Sequence, residues 1–295
     1  MNVCVIYNPR AGNGRAKKLL PQVERAFHAG GIQADILQTE FPGHAVELVQ
    51  RVPLENYDGI VAAGGDGTIF EVLNGLLKRD PFVDVPLGVL PIGTGNAFAR
   101  DLDLTNRTWQ RGIKFIARNQ PSPVDVGAFR TDGNMFYFLN ILGMGFVTDI
   151  AQTASHFKWL GNMAYSIGVF VQLARLSATP VILEADGRTL TREMIFVEVS
   201  NSRYTSNFLI APHASLVDGK LDVVVLNPMS RWRLIRSFPK IFTGEHIHLP
   251  EVETFQVRRL RITTDTGRLL SPDGELLGST PVEIECIPGA IRVFQ

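Results

Sequence analysis

The chain has only two cysteines in 295 residues, and neither stands at metal-ligand spacing. Cys4 and Cys286 both lie in apolar, strand-like runs, which reads as a pair of reduced core thiols in a reducing compartment. Net charge is missing too, because 29 Lys and Arg balance 29 Asp and Glu. A chain without a global field has no general pull toward nucleic acid, and no nucleic-acid partner is expected. Long apolar runs are absent. The longest, around Ala164 to Leu176, is broken by Gln172 and Arg175 and is too short to span a bilayer. No charged-then-apolar leader precedes the first apolar run, so a soluble, cytoplasmic protein is expected, at most peripheral at the inner membrane face. Two nucleotide signatures are lacking as well. There is no Walker A Lys-Ser/Thr pair and no Gly-x-Gly-x-x-Gly after the first strand, which argues against a P-loop hydrolase or an ordinary dehydrogenase.

What is present has the texture of a globular enzyme. Hydrophobic residues make up 45% and charged residues 20% of a chain long enough for two domains with separate cores. The most informative segment is Val61-Ala62-Ala63-Gly64-Gly65-Asp66-Gly67-Thr68. Gly59 to Ala63 reads as a buried parallel strand, and Ile69, Val72, Leu73 and Leu76 repeat at helical spacing. Glycines at a strand-to-helix turn let a phosphate reach backbone N–H groups. A carboxylate there, Asp66, implies a metal ion beside the phosphates or a proton to be taken. A Gly-Gly-Asp-Gly by itself could be only a tight turn; its setting argues for more.

That setting is an alternation of strands and helices. Val3 to Tyr7 is apolar and runs into Asn8-Pro9-Arg10-Ala11-Gly12-Asn13-Gly14. A helical pattern then carries Leu20, Val23 and Phe27, with Pro21 implying a kink or late start and Gly30-Gly31 a C-cap. A strand at Ala34 to Leu37 and a helix at about His44 to Arg51 precede the Asp66 turn. A strand at Leu87 to Leu90 follows, ending in Pro91-Ile92-Gly93-Thr94-Gly95-Asn96 before a helix at Ala97 to Leu102. Such alternation predicts a parallel sheet with helices on both faces, whose ligands bind beyond the carboxyl ends of the strands. Three glycine-rich turns reach that rim, the arrangement of a phosphate cradle.

After Pro121-Ser122-Pro123 the pattern changes. Val124 to Arg130 and Phe136 to Leu142 read as strands joined at Thr131-Asp132-Gly133-Asn134, and a helical stretch follows from about Ala151 to Leu176. Short alternating runs then recur (Val181 to Ala185, Ile195 to Ser200, Leu221 to Leu226, Phe255 to Val257, Leu260 to Thr263, Val282 to Cys286), punctuated by Asp-Gly turns. This predicts a mostly antiparallel β domain. The domains expected are 1–122, α/β; 123–287, β; and 288–295, a last strand returning to the first domain.

The ordered set of motifs resembles the diacylglycerol kinase catalytic domain family, in particular the bacterial soluble lipid kinases related to sphingosine, ceramide and diacylglycerol kinases. The resemblance runs through Asn8-Pro9-x-Ala11-Gly12, Gly64-Gly65-Asp66-Gly67-Thr68, Glu71-x-x-Asn74-Gly75 and Pro91-x-Gly93-Thr94-Gly95-Asn96. It continues through Asn140-x-x-Gly143-x-Gly145-Phe146, Asp218-Gly219-Lys220-Leu221, Asp273-Gly274-Glu275 and the closing Pro288 to Val293. It implies an NAD kinase-like α/β domain and a β-sandwich, with ATP in the cleft between them and Mg²⁺ as its companion. Carried over by position, ATP would be met by Asn8, Pro9, Arg10, Ala11, Gly12, Thr39, Gly64, Gly65, Asp66, Gly67, Thr68, Ile69, Phe70, Glu71, Gly93, Thr94, Gly95 and Asn96. Catalysis would rest on Glu275, Asp66 and Asp273, with Glu275 the base for a lipid hydroxyl and Asp66 shaping the phosphate site. A structural magnesium would be held by Asp218 and the carbonyls of Ser215 and Lys220. The implied function is ATP- and Mg-dependent phosphorylation of a diacylglycerol-like or sphingoid lipid. The alternatives are a kinase of a soluble substrate such as NAD, or a non-catalytic nucleotide- or lipid-binding protein.

Three further features stay open. His246-x-His248 lacks a third ligand and reads as exposed loop histidines. Arg231 to Phe238, with Lys240 and Phe242, could rest on an anionic membrane surface or be a helix with an apolar core face. Trp159, Met163, Ile167, Phe170 and Val171 could line an acyl-chain pocket or form core. Oligomeric state is not readable.

Overall fold

The computed structural model describes residues 1–79, 84–156, 171–173 and 176–295. They form two compact units: residues 1–126 with 216–218 and 287–295, and residues 127–215 with 219–286.

In the first unit, β1 (Asn2–Tyr7), β2 (Gln33–Gln38), β3 (Gly59–Gly64) and β4 (Leu87–Pro91) pair in the order β2-β1-β3-β4, all parallel. β1, β3 and β4 are buried almost throughout, as strands covered on two faces must be. The connections carry α1 (Arg15–Ala29), α2 (His44–Arg51) and α3 (Asp66–Arg79), followed by α4 (Ala97–Asp101) and α5 (Trp109–Arg118). Near the chain's end Val293 pairs in parallel with Leu87.

Two local readings change here. Pro21 does not give a late start: α1 begins at Arg15, after three left-handed residues, Gly12, Asn13 and Gly14, and runs through Pro21 to Ala29. Pro21 faces solvent and the bond it forfeits belongs to the carbonyl of exposed Lys17, so water can satisfy it. α5, which the motif reading passed over, buries Trp109, Ile113 and Ile116 on one face. Its Gly112 lies against the Val89 carbonyl, where a side chain would collide.

The second unit is built from antiparallel strands. The run expected as one strand, Phe136 to Leu142, is two: β6 (Asn134–Phe138) and β7 (Ile141–Gly145), broken at Leu139-Asn140. β5 (Pro121–Thr131) enters from the first unit and pairs with β6 through Asp132-Gly133, both at positive φ. α6 (Phe146–His156) follows; the rest of the helical stretch, with Trp159, Met163, Ile167 and Phe170, lies outside the described residues. Then come β8 (Thr179–Ala185), β9 (Arg188–Met194), β10 (Phe196–Ser200), the two-residue pair β11 (Tyr204–Thr205) and β12 (Phe208–Leu209), and β13 (Leu221–Leu226). After α7 (Arg231–Ser237) the unit closes with β14 (Val252–Val257), β15 (Arg259–Thr264), β16 (Leu270–Pro272) and the first part of β17 (Val282–Phe294).

One sheet runs β14-β13-β10-β7-β16, and β9, β8, β15 and β17 pair in sequence in the other. Between them Leu142, Val197, Val199, Val223 and Val225 meet Leu183, Leu260, Ile262, Val282 and Ile284, the core of a β-sandwich. Each such side chain contributes about 1.5–3 kcal/mol on burial. β9 escaped the sequence reading because it is a polar edge strand with one buried residue, Met194.

Candidate active site

At the carboxyl ends of β3 and β4 two glycine turns lie in backbone contact. The amides of Ile92 and Gly93 both donate to the Gly64 carbonyl, at 3.0 and 2.9 Å. A Cβ on Gly93 would collide with the Gly65 Cα, and one on Gly64 would occupy the place of the Thr68 side chain. The β1 turn joins them: Asn8 Nδ2 donates to Thr68 Oγ1 at 3.1 Å, and Asn8 Oδ1 accepts the Arg10 amide at 3.0 Å. Gly12, at φ 60°, has the Ile92 carbonyl 2.7 Å from where a Cβ would stand. At Gly12 and Gly93 the neighbouring backbone, and at Gly64 the Thr68 side chain, leaves no room for a Cβ, and the turn delivers the N-terminus of α3 to the rim.

Asp66 is the first residue of α3, and its carboxylate reaches α4. Its Oδ1 accepts the Ala97 amide at 2.7 Å. Burial holds the Asp66 carboxyl above the usual range, against the lowering effect of the Ala97, Phe98 and Asn96 amides. Asp66 therefore fastens one glycine turn to the helix leaving the other. Asn96 completes the clamp, left-handed at φ 56° and buried, its side-chain amide spanning the Gly93 amide and carbonyl.

The other residues expected at this rim divide. Arg10 and Thr94 are exposed and Pro9, Ala11, Gly65, Gly67 and Gly95 are half-buried along the turns. Thr39 is buried just after β2, its amide bonded to the Tyr7 carbonyl. Ile69 and Phe70 are buried with their side chains in the core. Glu71 accepts the Gly43 and Ala45 amides at 2.8 and 3.1 Å, capping α2, where the turn before the helix supplies no side-chain cap of its own. Gly75, in the same motif, lets α3 approach Val49 of α2.

In the second unit Pro272-Asp273-Gly274-Glu275 is a tight turn, closed by the Glu275 amide on the Pro272 carbonyl at 2.8 Å, with φ 46° and 90° at its centre. Both positive φ values make it a type I′ turn, for which Asp-Gly is a favoured pair. Asp273 is buried and its carboxylate accepts three amides: Leu139 at 3.1 Å, Asn140 at 2.9 Å and Ile141 at 2.9 Å. This is what breaks the β6–β7 run. Glu275, two residues further on, is exposed.

Ser215, Asp218 and Lys220 lie in the loop before β13, with Asp218 exposed and Gly219 at φ 71°. Among the described residues no three His, Cys, Asp or Glu side chains gather as a metal cluster. His246 is not an exposed loop residue: it is buried in a short helical turn, Nε2 2.9 Å from the Ile210 carbonyl, and burial depresses its pKa. Its neighbour His248 is exposed. Cys4 is buried, its thiol pushed up to about 12 by burial, and no disulfide joins it to Cys286.

One group went unread in the sequence. Glu198, on β10, is fully enclosed, accepts the Thr205 hydroxyl at 2.5 Å, and is pushed up to about 7 by burial. An acid inside the apolar run Phe196 to Val199 is the only trace it leaves in the sequence.

Glycine turns at the rim of a parallel α/β sheet, in a chain that also carries a β-sandwich unit, define a phosphotransferase. Residues 2–129 match the Diacylglycerol kinase catalytic domain, and residues 140–295 match the YegS C-terminal NAD kinase beta sandwich-like domain. A diacylglycerol kinase of Bacillus subtilis (strain 168) is 33% identical over 95% of this chain and 91% of its own length. One of Staphylococcus aureus (strain MRSA252) is 31% identical over 98% and 91%. A crystal structure of a Bacillus anthracis str. Sterne diacylglycerol kinase, 25% identical, superposes with TM-score 0.72 over 99% of this chain and 96% of that one. A second structure from that organism, 27% identical, gives 0.82 over 99% and 94%. The chain belongs to the diacylglycerol kinase family and is a kinase with an alcohol group as acceptor. No helix among the described residues is long and apolar enough to cross a membrane.

Proposed function

We propose that the chain is an ATP-dependent lipid kinase that transfers the γ-phosphoryl group to the hydroxyl of a diacylglycerol-like or sphingoid lipid. The observation that carries the reading is the backbone contact between the Gly64–Thr68 and Gly93–Asn96 turns, clamped by Asp66. It sets the N-terminus of α3 at the rim of the sheet, and a helix N-terminus favours phosphate oxygens. Asn8 and Arg10 add a hydrogen bond and a positive charge at the same rim.

Glu275 is the base. It takes the proton of the lipid hydroxyl as the new O–P bond forms and the bond to the bridging oxygen breaks, leaving ADP. Its exposure suits a group that must meet substrate, whereas both oxygens of Asp273 are engaged by amides. Asp273 is a positioning residue that fixes the turn from which Glu275 projects. Asp66, likewise engaged, shapes the phosphate site and is not the proton acceptor.

Magnesium fits the oxygen donors available. Asp218 with the Ser215 and Lys220 carbonyls offers a hard, one-carboxylate set that leaves places for water, the preference of Mg²⁺. That ion would be structural; a separate magnesium accompanying ATP would supply charge neutralisation on the phosphates. The acceptor lies in a bilayer, so the enzyme works in transient contact with the membrane surface.

The test is transfer of label from γ-labelled ATP to a panel of lipids in mixed micelles, with NAD as a soluble acceptor control. Label in a lipid and none in NAD is expected. No labelled lipid from a chain that still binds ATP overturns the proposal.

A further inference from the structure

Large apolar side chains gather on the second unit where its core does not account for them. α7 and the short turn that follows, Phe238–Phe242, contain no buried residue. Trp232 is 81% exposed, and Ile235, Phe238 and Phe242 are each about half exposed. The alternative of a helix with an apolar core face is thereby excluded. Spacings of three and four residues align the four along one side.

The stripe is held from behind. Phe208, Phe238 and Phe242 pack edge to face with centroids 5.1–6.0 Å apart. Phe208 and Ile241 pack in turn on the buried Ile210, Ala211 and Val224. The Ser230 side chain caps α7 by accepting the Arg233 amide. The rings thus keep fixed positions while presenting their outer edges to water, which costs about 25 cal/mol for each Å² left uncovered.

Charge selects the partner. From Met229 to Gly244 the sequence holds three Arg and one Lys and no Asp or Glu, in a chain whose net charge is zero. Arg233 pairs with Glu251 at 2.6 Å. Arg231, Arg236 and Lys240 have no such pair among the described residues, and the acids at the margin are Glu245, which is exposed, and the paired Glu251. A second copy of the same surface would bring these cations together, which disfavours self-association.

We propose that this segment docks on an anionic lipid bilayer. Trp232, Ile235, Phe238 and Phe242 enter the interface, and Arg231, Arg236 and Lys240 meet lipid phosphates, the arrangement of an interfacial amphipathic segment. The proposal rests on the lipid-kinase reading for its use, but binding is measured without catalysis.

The experiment is sedimentation of the full chain with phosphatidylcholine vesicles, with and without phosphatidylglycerol, alongside tryptophan emission. Binding that needs phosphatidylglycerol, weakens with salt and blue-shifts the emission is expected. Trp232→Ala should weaken it about tenfold, and Arg236→Gln or Lys240→Gln about fivefold each. Thermal unfolding and phosphorylation of detergent-dispersed lipid should stay unchanged in all three variants. Vesicle binding by Trp232→Ala equal to that of the parent overturns the proposal. So does a concentration-dependent dimer that the variant abolishes, because the patch is then a self-association surface. Vesicle binding without lipid phosphorylation in detergent would instead retire the kinase reading and leave the docking surface standing.

Discussion

The two units use one structural device at the turns that carry Asp66 and Asp273. Asp66 binds backbone amides at the start of α4, and Asp273 binds the three amides of Leu139, Asn140 and Ile141. In each, a carboxylate far away in sequence fixes a turn by accepting N–H groups, which are strong bonds because the acceptor is charged. What each turn displays differs. In the first unit the fixed element is glycine backbone. In the second it is the exposed carboxylate of Glu275 beside a buried, fully engaged one. On the proposed reading a phosphate donor would use the first surface and a proton acceptor the second, so the two acids of Asp-Gly-Glu would divide into a support and a base.

The sharpest way to break that division is to exchange the roles. Glu275→Gln should lower ATP-dependent phosphorylation about 10²–10⁴-fold with unfolding unchanged within about 0.5 kcal/mol, as for most exposed positions. Asp273→Ala should do the reverse in kind: three amides lose their acceptor, and chemical denaturation should show a loss of about 3 kcal/mol. A Glu275→Gln enzyme with parental rate, or an Asp273→Ala enzyme with parental stability, would undo the assignment.

Glu198 sharpens the comparison, because it is a buried carboxyl that accepts a hydroxyl, that of Thr205. Burial raises it from 4.5 to about 7, against the lowering effect of the Thr205 hydroxyl. The folded state therefore holds a proton that the unfolded state has released between those two values. This contribution is fully present below about 4.5 and is lost as pH rises through 7. At 1.36 kcal/mol per unit the loss is about 3 kcal/mol. In Glu198→Gln this part of the fall in stability between pH 5 and 8 should vanish, measured by urea denaturation across that range. An unchanged slope would mean that Glu198 is ionised in the fold.

The parallel sheet was legible because its strands are nearly continuous apolar runs ending in glycine, and so were the glycine turns at its rim. Carboxylate partners were not. Nothing near Asp66 points to Ala97, and nothing near Asp273 points to Leu139, since such pairs are made by tertiary contact. The same blindness joined β6 to β7: Phe136 to Leu142 is apolar throughout, and only a distant carboxylate breaks it. The capping of α2 by the Glu71 carboxylate, at a helix that Gly43 opens without a side-chain cap, was likewise not legible. Periodicity also could not weigh exposure on α7, because an apolar stripe facing solvent has the same spacing as one facing a core.

The smallest effect separates the two kinds of glycine. Gly93 is needed because the Gly65 backbone occupies the place of a side chain, whereas Gly274 has nothing within 4 Å of its Cβ position but sits at φ 90°. Gly274→Ala should therefore cost only the strain of a left-handed residue, about 1 kcal/mol, with a slightly looser turn beneath Glu275. Gly93→Ala has no room to relax without parting the two turns, and should cost about 2 kcal/mol together with ATP binding. Paired thermal unfolding with and without ATP reads both. If Gly274→Ala lost the ATP-induced shift and Gly93→Ala kept it, the phosphate surface would not be the backbone contact of the first unit.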